Sequence, residues 1–344
     1  RLPPYGTFSS TSGPGDSLSS LRTREARLLH LGIDEAGYGP LLGPLVVAGT
    51  AFRVADDGRP AELRRRLKGI VVRRRQRAGA RRPLPVPIDD SKAINARYGV
   101  AGLARGLAAH CAARDVEAPR DLARLLDEYA DLEASRLGIC PWYQNLELVR
   151  MPPYPAPPRL AERMRRRGIE ALDLRVLPVP APDLNAEFDR HDNKARVLGL
   201  ASGRIALQLL ERTPGEDAEI VFDRQGGRLD YAAYLADLFP FARVTKLPSG
   251  PKNAHYRVEL GDRRHLVRFE TKGDRVSLAV GWASMIAKLV RELLMEGLNA
   301  WFESRAPGLK RTAGYTTDGR RFLEDVAPVI QAEAIRWDDL VRSR

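Results

Sequence analysis

A short apolar run, Leu28 to Ile33, stops at two adjacent carboxylates, Asp34 and Glu35, and at the turn Ala36-Gly37-Tyr38-Gly39-Pro40. A second run, Leu45 to Phe52, follows. Apolar runs this short, bounded by glycine and proline, read as strands, and the brief turn makes them hairpin partners. Successive strand residues point to opposite faces, so Asp34 and Glu35 converge only if the pleat breaks at Glu35. Further along, Asp89-Asp90-Ser91-Lys92 opens a helical stretch with Asp or Ser as its cap, and helical periodicity continues from Leu103 to Leu137. Leu198, Ala201, Ile205 and Leu209 recur at helical spacing, and Glu219 to Phe222 forms a buried-type strand ending at Asp223 and a Gly226-Gly227 turn. Strands are expected at Phe241–Leu247, His255–Thr271 and Val276–Val280. A helix from about Trp282 to Phe302 follows, with Ile286, Val290, Leu293 and Trp301 on its core stripe. Helix followed by strand is the rhythm of an α/β fold.

With 44% hydrophobic residues in 344, the chain has enough apolar material for a real core, which argues against a disordered or fibrous class. Cys111 and Cys140 build no disulfide framework and match no zinc spacing, so a reducing compartment, the cytoplasm, is the expectation. The stretch Pro40–Phe52 is broken by Gly and Pro and falls short of the ~20 residues that span a membrane. Residues 1–27 are rich in Ser, Gly and Pro, lack a signal peptide's apolar segment, and read as a disordered tail. Residues 28–344 form one domain. Its net charge of +12 is local: Arg64 to Arg82 holds ten Lys or Arg and no acid. Arginine forks suit phosphates, so this run fits a polyanion clamp and equally a solvated loop. Nine prolines between residues 141 and 182 disfavour a long regular element there.

Several common site signatures are missing: a P-loop, His-Glu-x-x-His, Gly-x-Ser-x-Gly and any clustered His/Cys set. Gly37-x-Gly39 lacks the third glycine of a dinucleotide fingerprint. What remains is acidic: Asp34 and Glu35 at one strand end, Asp223 at another, and Glu292 on the long helix. Taken singly, each reads as a cap or a surface charge. Together, in a crevice beyond the strands' carboxyl ends, four ionised carboxylates would repel unless divalent ions neutralised them, and hard oxygen ligands select Mg²⁺ or Mn²⁺.

The segment Gly32-Ile33-Asp34-Glu35-Ala36-Gly37-Tyr38-Gly39-Pro40-Leu41-Leu42-Gly43-Pro44 resembles the first motif of the ribonuclease HII family, G-I/V-D-E-A-G-R-G-P-L-x-G-P. Asp90-Ser91-Lys92 is similar to that family's D-S-K, and Val221-Phe222-Asp223 to its third carboxylate strand, with Arg224 where glycine is usual. Lys272-Gly273-Asp274 and the segment Ala283 to Glu292 resemble K-G-D and A-S-I-I/V-A-K-x-x-R-D in order and interval, and Gly314-Tyr315-Thr316-Thr317 resembles G-Y-x-T. The motifs stand in order between residue 28 and about residue 325. The stretches at about 53–87 and 140–182 look like insertions.

The resemblance implies a divergent member with a ribonuclease H-like fold: a five-stranded mixed sheet flanked by helices, with a helical extension over about 296–344. It further implies two-metal-ion endonucleolytic cleavage of RNA in RNA·DNA hybrids, or at ribonucleotides in DNA. Carried over, Asp34, Glu35, Asp223 and Glu292 are the catalytic metal ligands for two Mg²⁺ or Mn²⁺ ions. Gly37, Tyr38, Gly39, Ser91, Lys92, Lys272, Lys288 and Tyr315 are the substrate-binding set, Tyr315 packing on the sugar that bears the 2′-hydroxyl. Two departures stand out: Tyr38 replaces the motif's arginine, and Glu292 replaces its aspartate, one methylene longer. They leave open a nuclease of the same fold acting on another nucleic acid, or a weakly active binding paralogue.

Overall fold

The apolar hairpin organises the sheet. In this computed structural model, which describes residues 27–55, 62–73, 85–130, 137–154, 157–224 and 230–343, β1 (Arg27–Ala36) pairs antiparallel with β2 (Leu45–Ala55). A two-residue pair, β3 (Val71–Val72) and β4 (Val86–Pro87), lies apart from it. The main sheet is completed by β5 (Ile169–Val179), β6 (Ala218–Asp223), β7 (Arg243–Leu247), β8 (Ala254–Leu260) and β9 (Arg263–Glu270), in the order β5-β2-β1-β6-β9-β8-β7. β6 runs parallel to β1, and β9 parallel to β6, while the other pairings are antiparallel. The sheet is therefore mixed and flanked by helices as expected, but it has seven strands. The extra two arise because His255–Thr271 folds as a hairpin about Gly261 (φ +59°) and β7 adds at its edge.

Three local expectations are corrected. Helical periodicity through Leu137 is interrupted: one helix ends at Ala113, a second spans Leu122–Tyr129, and Asp121 caps the second through the Arg124 amide. The proline-rich stretch contains β5, eleven residues long, pairing with β2. As an edge strand, β5 accommodates Pro178, which has no N–H to donate. Val276–Val280 is not a strand. Ser277 caps the helix Leu278–Glu303 through the Val280 amide, and a four-residue helix, Gly273–Val276, precedes it.

That long helix lies against β1 and β2, its side chains in one apolar core with the helix Ser91–Ala113, while the helix Lys194–Glu211 covers the other face. The approach is closest at Gly32, where an added Cβ would fall 2.1 Å from Val280 N and 2.2 Å from Ala279 C. The Thr50 hydroxyl donates to Ala279 O at 2.9 Å in the same seam. Because backbone faces backbone there, Gly32→Ala forces the helix off the sheet. We expect a loss of about 3 kcal/mol or more, read as a lower urea midpoint at unchanged slope.

The tail 1–26, the second half of the basic run (74–84), and the Gly226-Gly227 turn lie outside the described residues. Helices at Thr316–Asp325, Ala327–Ala332 and Trp337–Leu340 form the extension. Among the described residues, no helix is long and apolar enough to cross a membrane.

Candidate active site

Three parallel strands end on the same side. The register places Ile33 opposite Phe222 and Asp223 opposite Glu270, so Asp34-Glu35, Asp223 and the turn Lys272-Gly273-Asp274 leave the sheet side by side. β1 keeps its pairing through Ala36, and the chain breaks only at Gly37 (φ +88°). The expected break at Glu35 is thus not what joins the two acids. Glu35 N donates to Asp34 Oδ1 at 2.7 Å, and the two carboxyls share a hydrogen bond.

Burial, and then the charges of Glu35 and Asp223, hold the Asp34 carboxyl well above the usual carboxylate range. Glu35 is pushed up to about 7 by burial and by Asp223. Asp223 is itself raised by burial and by Asp274, against hydrogen bonds from the Gly273 amide (2.7 Å) and the Arg224 amide. Glu35 and Asp223 penalise the ionised form of Asp34, Asp223 that of Glu35, and Asp274 that of Asp223, as expected of like charges held close in a poorly hydrated place. The Lys92 charge opposes this at both Glu35 and Asp223.

The structure brings a further acid to this group. Asp274 is raised by burial and by Asp90 and Asp89, it acts on Asp223, and its Oδ2 is buried without a hydrogen-bond partner. Sequence reasoning included Asp274 in the K-G-D motif yet gave it no role. Its place just beyond β9, which pairs in parallel with the strand that ends at Asp223, is what brings it here. Glu292 is placed differently: Lys288 Nζ lies 2.5 Å and Arg291 Nη1 3.4 Å from its Oε1, and the charges that raise Asp34, Glu35 and Asp223 belong to one another and to Asp274.

The remaining site residues divide by exposure. Ser91 is buried and receives the Ser284 hydroxyl at 3.0 Å, and Ser284 also hydrogen-bonds Asp34, so Ser91 braces a carboxylate. Lys92 and Lys272 are exposed at the rim, while Lys288 is engaged with Glu292. Gly314 accepts the Leu41 and Leu42 amides (2.8 and 3.0 Å), which brings Tyr315, half exposed, beside the Gly37–Pro44 turn. The buried Arg291 lies under both: its Nη2 donates to Ala313 O, its guanidinium is 5.7 Å from the Tyr315 ring, and a Cβ on Gly37 would meet its Nε at 2.6 Å. Gly39 is open to solvent. Tyr38 is partly buried against the core of the opposite sheet face, with Lys194 Nζ 4.9 Å from its ring centre.

Arg64 to Arg73 of the basic run lie within the described residues. Arg66 is buried and donates to Arg167 O and Ala55 O, and Arg64 donates to Ile88 O and Asp274 O. Those two guanidiniums fasten the fold and are not available to a nucleic-acid backbone. Arg65, Lys68 and Arg73 are exposed.

Hard oxygen donors in a crevice whose negative charge has too little local compensation suit a divalent cation, and the orphaned Asp274 Oδ2 is an acceptor in want of one. Among the described residues, no three His, Cys, Asp or Glu side chains stand in ready-made ligand geometry.

The class defined so far is a mixed α/β sheet with a carboxylate crevice at the carboxyl ends of its parallel strands. No family model and no curated protein matches the sequence. The chain is similar to solved structures of ribonucleases HII and HIII. The RNase HII of Archaeoglobus fulgidus, solved in complex with PCNA, is 19% identical over 92% of both chains, with a TM-score of 0.41. The ribonuclease H2 of Pyrococcus horikoshii OT3 is 16% identical over 91% of this chain and 92% of that one, with a TM-score of 0.39. Bst-RNase HIII, solved with Mn²⁺, is 17% identical over 97% of this chain and 73% of that one, with a TM-score of 0.41.

Proposed function

We propose that this chain is a ribonuclease H-type endonuclease that cleaves RNA in RNA·DNA hybrids, or at ribonucleotides within DNA, with two Mg²⁺ or Mn²⁺ ions. The observation that carries the reading is the gathering of Asp34, Glu35, Asp223 and Asp274 at the ends of three parallel strands, inside the ordered motif set, where Glu35 and Asp223 raise Asp34, Asp223 raises Glu35, and Asp274 raises Asp223. In this reading Asp274 takes the fourth ligand position that the motif spacing assigned to Glu292. Divalent ions held there would supply charge neutralisation for the scissile phosphate and an activated water.

The chain's own residues do the rest. Ser284 and Ser91 hold Asp34 in place, and the Gly273 amide orients Asp223. Lys92 and Lys272, exposed at the crevice rim, meet phosphates. Glu292, neutralised by Lys288 and Arg291, serves the helix that carries Arg291 beneath the glycine turn and Tyr315.

The test is cleavage of three labelled duplexes, an RNA·DNA hybrid, DNA with one ribonucleotide, and all-DNA, with Mg²⁺ or Mn²⁺ and with Asp34→Asn as control. Cleavage confined to the first two and lost in Asp34→Asn is the expected result. Cutting of the all-DNA duplex would move the assignment to another nucleic-acid substrate, and activity surviving Asp34→Asn would remove the carboxylate mechanism.

A further inference from the structure

The turn from Gly37 to Pro44 is gripped from below by a residue nearly three hundred positions away. Arg342, 3% exposed, donates from Nη1 to Gly37 O at 2.5 Å, and from Nε and Nη2 to Gly43 O at 2.8 and 2.5 Å. Its amide donates to Leu41 O at 3.1 Å, and Val341 forms a β-bridge with Leu42. A second anchor fixes this segment. Asn185 donates to Val341 O (2.8 Å) and Asp338 O (3.0 Å) and accepts the Ser343 amide (2.8 Å). Burying a guanidinium is costly, more so with Arg291 close by, and the carbonyls it satisfies all belong to this one turn.

We propose that Arg342 is a positioning residue for substrate binding, setting the orientation of the Gly37–Pro44 turn toward the nucleic acid. The proposal rests on the nuclease reading, in which that turn faces the duplex. A trans peptide is planar, so a carbonyl held inward fixes the plane of the peptide that follows. Arg342 thereby sets the 37–38 and 43–44 peptides at both ends of the turn. Arginine's fork reaches two carbonyls at once, and lysine's single ammonium cannot reproduce that. Tyr38 contributes no guanidinium of its own to the turn, whereas Arg342 and Arg291 bring theirs to it from beneath.

The experiment compares the full-length protein with Arg342→Met, Arg342→Lys and Asn185→Leu by hydrogen exchange and by steady-state cleavage of the RNA·DNA hybrid. In Arg342→Met, amides of residues 37–44 are expected to exchange at least about tenfold faster, while β1, β2 and the helix Leu278–Glu303 keep wild-type protection. KM for the hybrid is expected to rise about tenfold, with kcat changed by less than about threefold. Arg342→Lys should fall between wild type and Arg342→Met, and Asn185→Leu should shift both readouts in the same direction by less. Exchange that rises across the whole sheet, or kcat falling as much as KM rises, would reduce Arg342 to a stability residue and overturn the proposal. Unchanged exchange at 37–44 would overturn it as well. If wild type cleaves none of the duplexes the nuclease reading fails by itself, and the exchange pattern still reports whether Arg342 holds the turn.

Discussion

Asp274→Asn is expected to slow hybrid cleavage by about 10²–10³-fold, whereas Glu292→Gln should cost less than about tenfold. The contrast follows from what each carboxylate touches. Asp274 presents a buried oxygen with no donor and adds its charge to that of Asp223, so removing its charge deletes one corner of the anionic crevice. Losing a single preorganised electrostatic partner at a reacting centre costs on that order. Glu292 is already compensated by Lys288 and Arg291. Its amide analogue gives up the charge of a partly buried ion pair (Lys288 13% and Glu292 24% exposed) but keeps the shape and still accepts a hydrogen bond from Lys288. Single-turnover rates at saturating Mg²⁺ separate the two, because both variants should fold and bind duplex. Equal losses would restore Glu292 to the ligand set, and a larger loss in Glu292→Gln would reverse the assignment.

The same contrast shows which parts of the site were legible in the amino-acid order. β1 was readable because its apolar run ends at polar residues and a glycine turn, and this placed Asp34 and Glu35 at a strand terminus. Asp223 followed by the same logic. Glu292 sits at the end of a long helical motif, but helical spacing says only that it shares a face with Lys288. It does not say how far along the helix that face stays near the strand ends. Asp274 stands four residues past β9, and its proximity to Asp223 depends on the parallel pairing of β6 with β9, a long-range fact with no local sequence signal. β5 was hidden for another reason. Its Pro178 and the prolines and arginines on either side mimic a loop, and its edge position makes Pro178 tolerable. The Val276–Val280 error was one of punctuation, since Ser277 is a helix cap sitting inside an apolar run. Arg342 carried no motif at all, because its partners are backbone carbonyls, which every sequence possesses.

Glu35→Gln is expected to stabilise the metal-free protein at pH 8 by about 2–3 kcal/mol, while lowering or abolishing activity. Glu35 ionises near 4.5 in the unfolded chain and at about 7 in the fold, because burial and the Asp223 charge disfavour its carboxylate. Between those values the folded protein holds more protons than the unfolded one. Stability therefore falls as pH rises through this window and levels off above about 7. At about 1.36 kcal/mol per pH unit the full penalty is roughly 3 kcal/mol, which for a chain of this length moves the melting temperature by about 3–6 °C. Asp34 and Asp223, also raised, act in the same direction. Below pH 4.5 the carboxyl is protonated in both states, so the variant should melt with wild type. The decisive comparison is thermal unfolding at pH 4, 6 and 8, with chelator and with Mn²⁺. With chelator, the variant's advantage should grow from pH 4 to pH 8. With Mn²⁺, wild type should gain more than the variant, since a bound cation makes the ionised form the favoured one. A variant that melts below wild type at pH 8 in chelator would mean that Glu35 carries no unfavourable charge in the fold, and a crevice without that strain has no electrostatic call for divalent ions.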